Sequence, residues 1–162
     1  MAKQQQGKRN VRREKPEFDQ KLLDLARVTR VVKGGRRFRF RATLVIGNRK
    51  GKVGVGVAKG SDVSDAIQKA YHNAQKNMID VVTVGTTIPF DVSQKLGSAK
   101  VLLKPATEGQ GIIAGGAVRA VVDLAGIKYI VSKSLGASNK LNVARATVAA
   151  LKTLKIAPRQ AA

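Results

Sequence analysis

Alternating apolar and polar positions dominate the first third of the chain and predict antiparallel strands. The segment "KLLDLARVTRVV" is rich in leucine and β-branched residues, which favours a strand despite imperfect alternation. In the next strand the apolar face carries Phe38, Phe40, Ala42, Leu44 and Ile46, and the opposite face carries Arg37, Arg39, Arg41 and Thr43. The turn "GNRKGK" leads into "VGVGV" as a third strand. Its bare face, at Gly54 and Gly56, predicts close approach by another backbone or a ligand.

A helical repeat follows these strands. The segment "GSDVSDAIQKAYHNAQKNM" can be capped by Ser61 or Asp62. Its apolar positions recur at helical spacing, which predicts one buried helix face: Val63, Ala66, Ile67, Ala70, Tyr71, Ala74 and Met78. The first unit is therefore predicted as β-β-β-α, with the helix packed over the apolar side of the sheet.

The second half alternates strand and helix patterns. We predict strands at "VVTVGTTIPFDV", "AKVLLKPA" and "IKYIVSKSL". The segment "GQGIIAGGAVRAVVDLAG" reads as a glycine-rich turn that runs into a helix ended by Gly126. A closing helix at "SNKLNVARATVAALKTLK" can be capped by Ser138 or Asn139. The fold class is α+β in two domains, residues 18–81 and 82–162, after a basic arm at 1–17 that we expect to be flexible, ordering only against a partner or serving solubility.

The charge of the chain points to a polyanionic partner. Its 31 basic and 10 acidic residues give a net charge of +21, and residues 1–59 alone carry +14. The chain has no cysteine, which excludes disulfides and thiolate metal sites and favours a reducing compartment. No apolar run approaches the length of a membrane span.

The basic residues concentrate where acids are missing. Residues 25–61 contain eleven Lys or Arg and no Asp or Glu, so we expect the counter-charge to come from outside the protein. Nucleic acid accounts for this face better than a solvated edge or a membrane surface does. The loop residues Lys33, Arg36, Arg49, Lys50 and Lys52 are predicted to extend the patch of Arg37, Arg39 and Arg41. No base-reading motif is present, so contacts should go to phosphates and sugars, as in duplex RNA recognition by shape.

Other candidate chemistry is sparse. Phe38 and Phe40 could stack on bases, but the strand pattern favours a core role for both. His72 is the only histidine and reads as a surface residue. The glycine turn could cradle phosphate, yet it lacks the acid of a dinucleotide site and a Walker lysine. We predict no catalytic residue, metal or cofactor, and two alternative functions stay open: a free-standing binder of double-stranded RNA, and a small phosphotransferase built on the second domain.

Several long motifs resemble one family. The segments "RVVKGGRRFRF", "VIGNRKGKVGVG", "AIQKAYHNAQKNM", "KPATEGQGIIAGGAVRAVVDLAGI" and "NVARATVAAL" are similar, in order over residues 18–154, to the bacterial small-subunit ribosomal protein S5 family. The resemblance implies a variant of the double-stranded RNA-binding fold followed by a β-α-β-α domain. It also implies a place where head meets body in a cytoplasmic bacterial ribosome, beside ribosomal proteins S4 and S8 and the path by which messenger RNA enters, with an influence on translational accuracy.

The resemblance also assigns residues. The loop "VKGG" matches one that the family inserts into ribosomal RNA, and Gly111 and Arg119 match positions that face protein S4. Ala58 stands where the family often has glycine, so close backbone approach there is in doubt. The predicted RNA-binding residues are Lys33, Gly34, Gly35, Arg36, Arg37, Arg39, Arg41, Arg49, Lys50, Lys52 and Lys59. The predicted contacts with a partner protein or RNA are Gly109, Gly111, Gly115, Gly116 and Arg119.

Overall fold

The structure, a computed structural model, describes residues 17–154, so nearly all of the predicted arm lies outside the described residues. The elements are β1 (Asp19–Val32), β2 (Gly35–Gly47), β3 (Lys52–Gly60), α1 (Val63–Lys76), β4 (Met78–Asp80), β5 (Val92–Leu96), β6 (Ala99–Pro105), β7 (Ile112–Ile113), α2 (Gly116–Ala125), β8 (Ile130–Ser134) and α3 (Lys140–Thr153).

The first sheet is antiparallel, with strand order β1-β2-β3-β4. A two-residue turn at Lys33 and Gly34 joins β1 to β2 and sets Val32 opposite Gly35. Strand β3 is shorter than β1 and β2. It ends at Gly60, which lies opposite Phe40, so no residue of β2 before Phe40 pairs with β3. The first five residues of β2 therefore pair with β1 alone, and β1 and β2 together extend roughly 17 Å past the end of β3.

Helix α1 lies very close to β3, as the bare glycine face predicts. A Cβ atom built on Gly54 would lie 2.5 Å from the carbonyl oxygen of Ala74, and one on Gly56 would lie 2.1 Å from that of Ala70. The partner of this face is thus the backbone of α1. The small, fully buried face of the helix completes the contact, with Ala66, Ala70 and Ala74.

The N-terminus of α1 is not stabilised by the side-chain capping bond that the sequence predicted. Asp62 occupies the N-cap position, but its side chain makes no capping hydrogen bond. Instead the carboxylate of Asp65 accepts a hydrogen bond from the backbone N–H of Ser61 at 3.2 Å and pairs with Lys69 at 2.8 Å. The Lys69 ammonium holds the pKa of Asp65 below its ordinary value of 3.8.

The second sheet has strand order β5-β6-β8-β7, in which β7 and β8 are parallel and are joined through α2. Gly126 ends α2 in the left-handed conformation, with φ of 89°, as the sequence predicts. Asn139 caps α3 by accepting a hydrogen bond from the backbone N–H of Leu141 at 3.1 Å.

The larger of two hydrophobic clusters contains residues from both halves of the chain. From Ala42 onward, strand β2 is buried on both faces. Ala42, Leu44 and Ile46 pack under α1, whereas Val45 belongs to the larger cluster, which includes α2, α3 and the second sheet. The β2–β3 turn docks on the end of α2, where the backbone N–H of Arg49 donates to the carbonyl oxygen of Leu124 at 2.9 Å. Strand β2 therefore packs against both units, with one face under α1 and the other in the larger cluster.

Three local predictions were wrong. Residues 81–91 form an irregular segment with one bridge between Val84 and Thr87, and the strand predicted there begins only at Val92. Met78 belongs to β4 and not to the helix, because α1 ends at Lys76. The short strand β7 was not predicted, since two apolar residues after a glycine turn carry no strand periodicity.

Candidate nucleic-acid interface

The part of β1 and β2 that extends beyond β3, together with Arg27 at its base, forms a two-stranded ribbon, residues 27–39, which we call the basic ribbon. It carries six cationic side chains and no acid: Arg27, Arg30, Lys33, Arg36, Arg37 and Arg39. All six are exposed, and none of them makes an ion pair within residues 17–154. An isolated two-stranded ribbon is only marginally stable in water, and repulsion among its positive charges lowers its stability further.

One face of the basic ribbon concentrates arginines. Arg30 stands directly opposite Arg37, and Val28 stands opposite Arg39. Like charges that face each other across two strands destabilise the pair. With Lys59 of β3, these arginines line a shallow depression of about 240 Å³. The arrangement lowers its energy when anions occupy the depression.

Two of these cations were missed by the sequence analysis. Arg27 and Arg30 lie on β1, whose alternation is imperfect, and they were assigned to no face. The signal was nevertheless available, because a two-residue turn after Val32 places Arg30 opposite Arg37 by counting back along the strand.

Three other predicted RNA-binding residues have acidic partners inside the protein. Arg49 pairs with Asp19 at 3.0 Å and Lys52 with Asp80 at 3.9 Å. Arg41 lies 3.8 Å from Asp24. The expectation that all counter-charge comes from outside was therefore wrong for these three residues. The three acidic residues lie outside the acid-free segment 25–61 in sequence, but strand pairing in the sheet places them next to its cations.

A β-bulge makes the Arg41 pair possible. The register between β1 and β2 shifts between Leu22 and Asp24, so Asp24 lies opposite Thr43 and on the same face as Arg41. There the carboxylate also accepts a hydrogen bond from the Nζ of Lys140, 3.2 Å away at the start of α3. Thr43, predicted to share an open cationic face with Arg41, is buried.

The predicted patch is also divided in space. The turn at Lys33 and the turn at Arg49 and Lys50 lie at opposite ends of β2, which has 13 residues. At strand geometry these ends are roughly 40 Å apart. The prediction that both loops extend one patch was wrong, because an antiparallel hairpin sends its two connections to opposite ends.

The two phenylalanines have different environments. Phe40 packs against the cluster under α1, which confirms its core role. Phe38 is 45% exposed, and its predicted core role was wrong. Since the pairing of β3 with β2 starts only at Phe40, the ring of Phe38 lies on the ribbon, where the guanidinium of Arg27 covers it at 3.7 Å from the ring centroid.

The two glycines of the ribbon turn differ in what the fold requires of them. Gly35 has φ of 133°, a conformation that other residues rarely adopt. Gly34 has no such angle, and a Cβ atom built on it meets nothing within 4 Å. The fold therefore explains Gly35 but not Gly34.

The second predicted contact surface surrounds the turn before α2. Gly109 and Gly111 have positive φ angles of 95° and 70°, so the turn itself requires them. Gly115 and Gly116 begin α2 and are exposed, with open space where a Cβ atom would be. Arg119, one turn into the helix, is also exposed.

The structure brings Arg119 together with the first unit. A cavity of about 520 Å³ is lined by Arg49 from the β2–β3 turn and by Arg119, Asp123 and Lys128 around α2. This cavity unites one residue from each predicted contact set, although 70 residues separate Arg49 from Arg119 in the chain.

Within residues 17–154, no helix is both long and apolar enough to cross a membrane.

Comparison with known proteins gives the family. The profile of the ribosomal protein S5 N-terminal domain matches residues 18–82, and that of the ribosomal protein S5 C-terminal domain matches residues 94–162. The chain belongs to the ribosomal protein S5 family.

Curated members of the S5 family are close in sequence. The small ribosomal subunit proteins uS5 of Campylobacter jejuni serotype O:23/36 (strain 81-176) and serotype O:6 (strain 81116 / NCTC 11828) are each 56% identical over 139 residues. Each match spans 86% of this chain and 95% of the relative. These findings confirm the family and the two-domain α+β fold class predicted from the sequence. The relatives are ribosomal proteins rather than enzymes, as the sequence predicted.

Proposed function

We propose that this protein is a structural constituent of the small ribosomal subunit and that its basic ribbon binds small-subunit ribosomal RNA. The observation that carries the proposal is the ribbon itself, with six exposed cations, no acid and no ion pair within the described residues. RNA phosphates supply the missing counter-charge.

Seven of the predicted RNA-binding residues fall into two groups on this proposal. Lys33, Arg36, Arg37 and Arg39, together with Arg30, contact phosphates directly. Arg41, Arg49 and Lys52 already have carboxylate partners, so they add to the positive field and contribute less to direct contact. Gly34, which the fold does not require, lets the RNA backbone approach the ribbon turn closely.

The family's arrangement supports finer proposals. Residues 18–81 form the RNA-binding domain and residues 82–162 the domain that holds neighbours, including ribosomal proteins S4 and S8. The turn at Gly109, Gly111, Gly115 and Gly116, with Arg119, contacts a neighbouring protein or RNA. In this role the protein stabilises the head of the subunit relative to its body, lies near the path by which messenger RNA enters, and influences accuracy in the bacterial cytoplasm.

The test is neutralisation of the arginine face. In a variant with Arg30→Gln, Arg37→Gln and Arg39→Gln, binding to small-subunit ribosomal RNA should weaken. The dependence of binding on salt should also become less steep, by about one in log–log slope for each phosphate that the variant no longer neutralises. Arg41 is left intact because it pairs with Asp24, and its removal would also disturb the junction with α3.

A matched control removes the same charge elsewhere. Lys95, Lys100 and Lys133 are exposed on the second sheet and have no ion pair within residues 17–154, and their triple Gln variant should keep the wild-type salt slope. Equal weakening in both triple variants would mean that only net charge matters. A wild-type slope in the arginine variant would refute the assignment of this face.

A further inference from the structure

The basic ribbon carries an unusual feature on the face opposite its arginine pair. Phe38 and Arg27 are diagonal neighbours there, since Thr29 stands opposite Phe38 and Arg27 stands opposite Phe40. The guanidinium carbon of Arg27 lies 3.7 Å from the centroid of the Phe38 ring. We call this pair the Arg27–Phe38 stack.

Packing does not account for the exposed ring. Phe38 contributes to neither hydrophobic cluster of the described residues, whereas Phe40, two residues further on the same face, packs under α1. An exposed cation–π pair stabilises a protein only weakly. A large aromatic side chain that is exposed on the ribbon and belongs to neither cluster therefore needs a further reason.

The chemistry of the stack suits a nucleobase. Aromatic rings and arginine guanidinium planes are the surfaces on which proteins stack unpaired RNA bases. Arg27 has no carboxylate partner within residues 17–154, so its planar group is free to be shared between the ring and a base. A base in this position would lie on the opposite face of the ribbon from Arg37 and Arg39.

We propose that the Arg27–Phe38 stack is a binding site for an unpaired nucleobase of RNA. This inference rests on the proposed function, in which the other face of the ribbon holds phosphates. Together the two contacts mean that the ribbon lies between two RNA segments, with phosphates on one face and a base on the other. The stack adds affinity that does not depend on counterion release.

The chain contains no tryptophan, so Phe38→Trp creates a single fluorescent reporter at the site. We expect small-subunit ribosomal RNA to quench and shift its emission as a base stacks on the indole. Phe38→Leu keeps the apolar character and removes the aromatic plane. Its affinity for the same RNA should fall roughly tenfold, while the slope of log affinity against log salt stays at the wild-type value, because the ribbon still neutralises the same phosphates.

Two further measurements separate the stack from a merely structural pair. Arg27→Lys keeps the charge and removes the plane, so it should resemble Phe38→Leu in RNA affinity and in slope. Urea unfolding of Phe38→Leu should match the wild type closely, since the ring is 45% exposed and belongs to neither hydrophobic cluster. If the pair only joins β1 to β2, unfolding will change and RNA affinity will not.

The outcomes are distinguishable from those that test the arginine face. Neutralised arginines change the salt slope, whereas stack variants change affinity at constant slope. Tryptophan emission that stays unchanged at saturating RNA, or a Phe38→Leu variant with wild-type affinity, would overturn the nucleobase site and leave the arginine face standing. Weaker binding by Phe38→Leu with no effect of the arginine variant would do the reverse.

Discussion

Gly56 should be the residue of the first sheet that tolerates an added methyl group least. A Cβ atom at this position would lie 2.1 Å from the carbonyl oxygen of Ala70, 2.6 Å from the backbone nitrogen of Ala74 and 2.8 Å from its Cβ. Ordinary van der Waals contact begins at 3.4 Å, so α1 would have to move by more than 1 Å. No side chain can rotate away, because the obstructing oxygen and nitrogen belong to the helix backbone.

The cost of Gly56→Ala follows from this geometry. Overpacking in a rigid core costs about 1–3 kcal/mol, and a backbone collision belongs at the upper end, so we expect a loss of about 3 kcal/mol. That is a large share of the ~5–15 kcal/mol by which a folded domain is usually stable. Urea unfolding followed by circular dichroism measures the loss as a lower midpoint at unchanged slope.

Gly34→Ala is the matched control, since a methyl group there meets nothing within 4 Å. Its unfolding free energy should stay level or rise by about 0.5 kcal/mol, because alanine restricts the unfolded chain. Its incorporation into small subunits should fall, if the bare turn serves approach to RNA. A loss below about 1 kcal/mol for Gly56→Ala, or equal losses for both variants, would refute the close-contact explanation of the glycine face.

Two further predictions concern the helix termini. Because the Lys69 ammonium lowers the pKa of Asp65 below 3.8, the carboxylate stabilises the folded state above that pH and ceases to do so as the pH falls through its folded pKa. Asp65→Asn should thus lower the melting temperature near neutral pH but not in strong acid, and Asp62→Asn, which removes no capping bond, should change little at either pH. Gly126→Ala combines a left-handed backbone with a Cβ only 2.2 Å from the carbonyl oxygen of Arg49, so chemical unfolding should show a loss of about 3 kcal/mol. Gly97→Ala, with the same backbone region but open space, should lose only about 1 kcal/mol; similar losses for both would mean that the docked turn adds nothing.

Local pattern was sufficient for most of the fold. Strict alternation predicted β2, the glycine face of β3 predicted close approach by another backbone or a ligand, and Gly126 predicted the end of α2. Each depends on residues a few positions apart, whose periodicity or backbone conformation is local. The irregular segment at 81–91 was mispredicted because its β-branched residues favour strands locally, yet no partner strand pairs with it beyond a single bridge.

The candidate interface was predictable in its chemistry but not in its extent. The excess of cations in residues 25–61 indicated a polyanionic partner from the sequence alone. The sequence could not indicate which cations lack partners, because pairing depends on distant segments. Lys140 reaches Asp24 across 116 positions of the chain, after a bulge has turned that carboxylate toward Arg41.

The sequence by itself thus determined most of the strands, the helices and the sign of the charge, because these follow from neighbouring residues and from composition. Only the tertiary structure decided that β2 is buried on both faces from Ala42 onward and where the basic ribbon begins. The reason is the unequal length of the strands: β3 stops opposite Phe40, so everything beyond that residue loses the cover of the sheet and of α1. This one difference separates the core residue Phe40 from the exposed Phe38, whereas the bulge in β1 separates the paired Arg41 from the unpaired arginines of the ribbon.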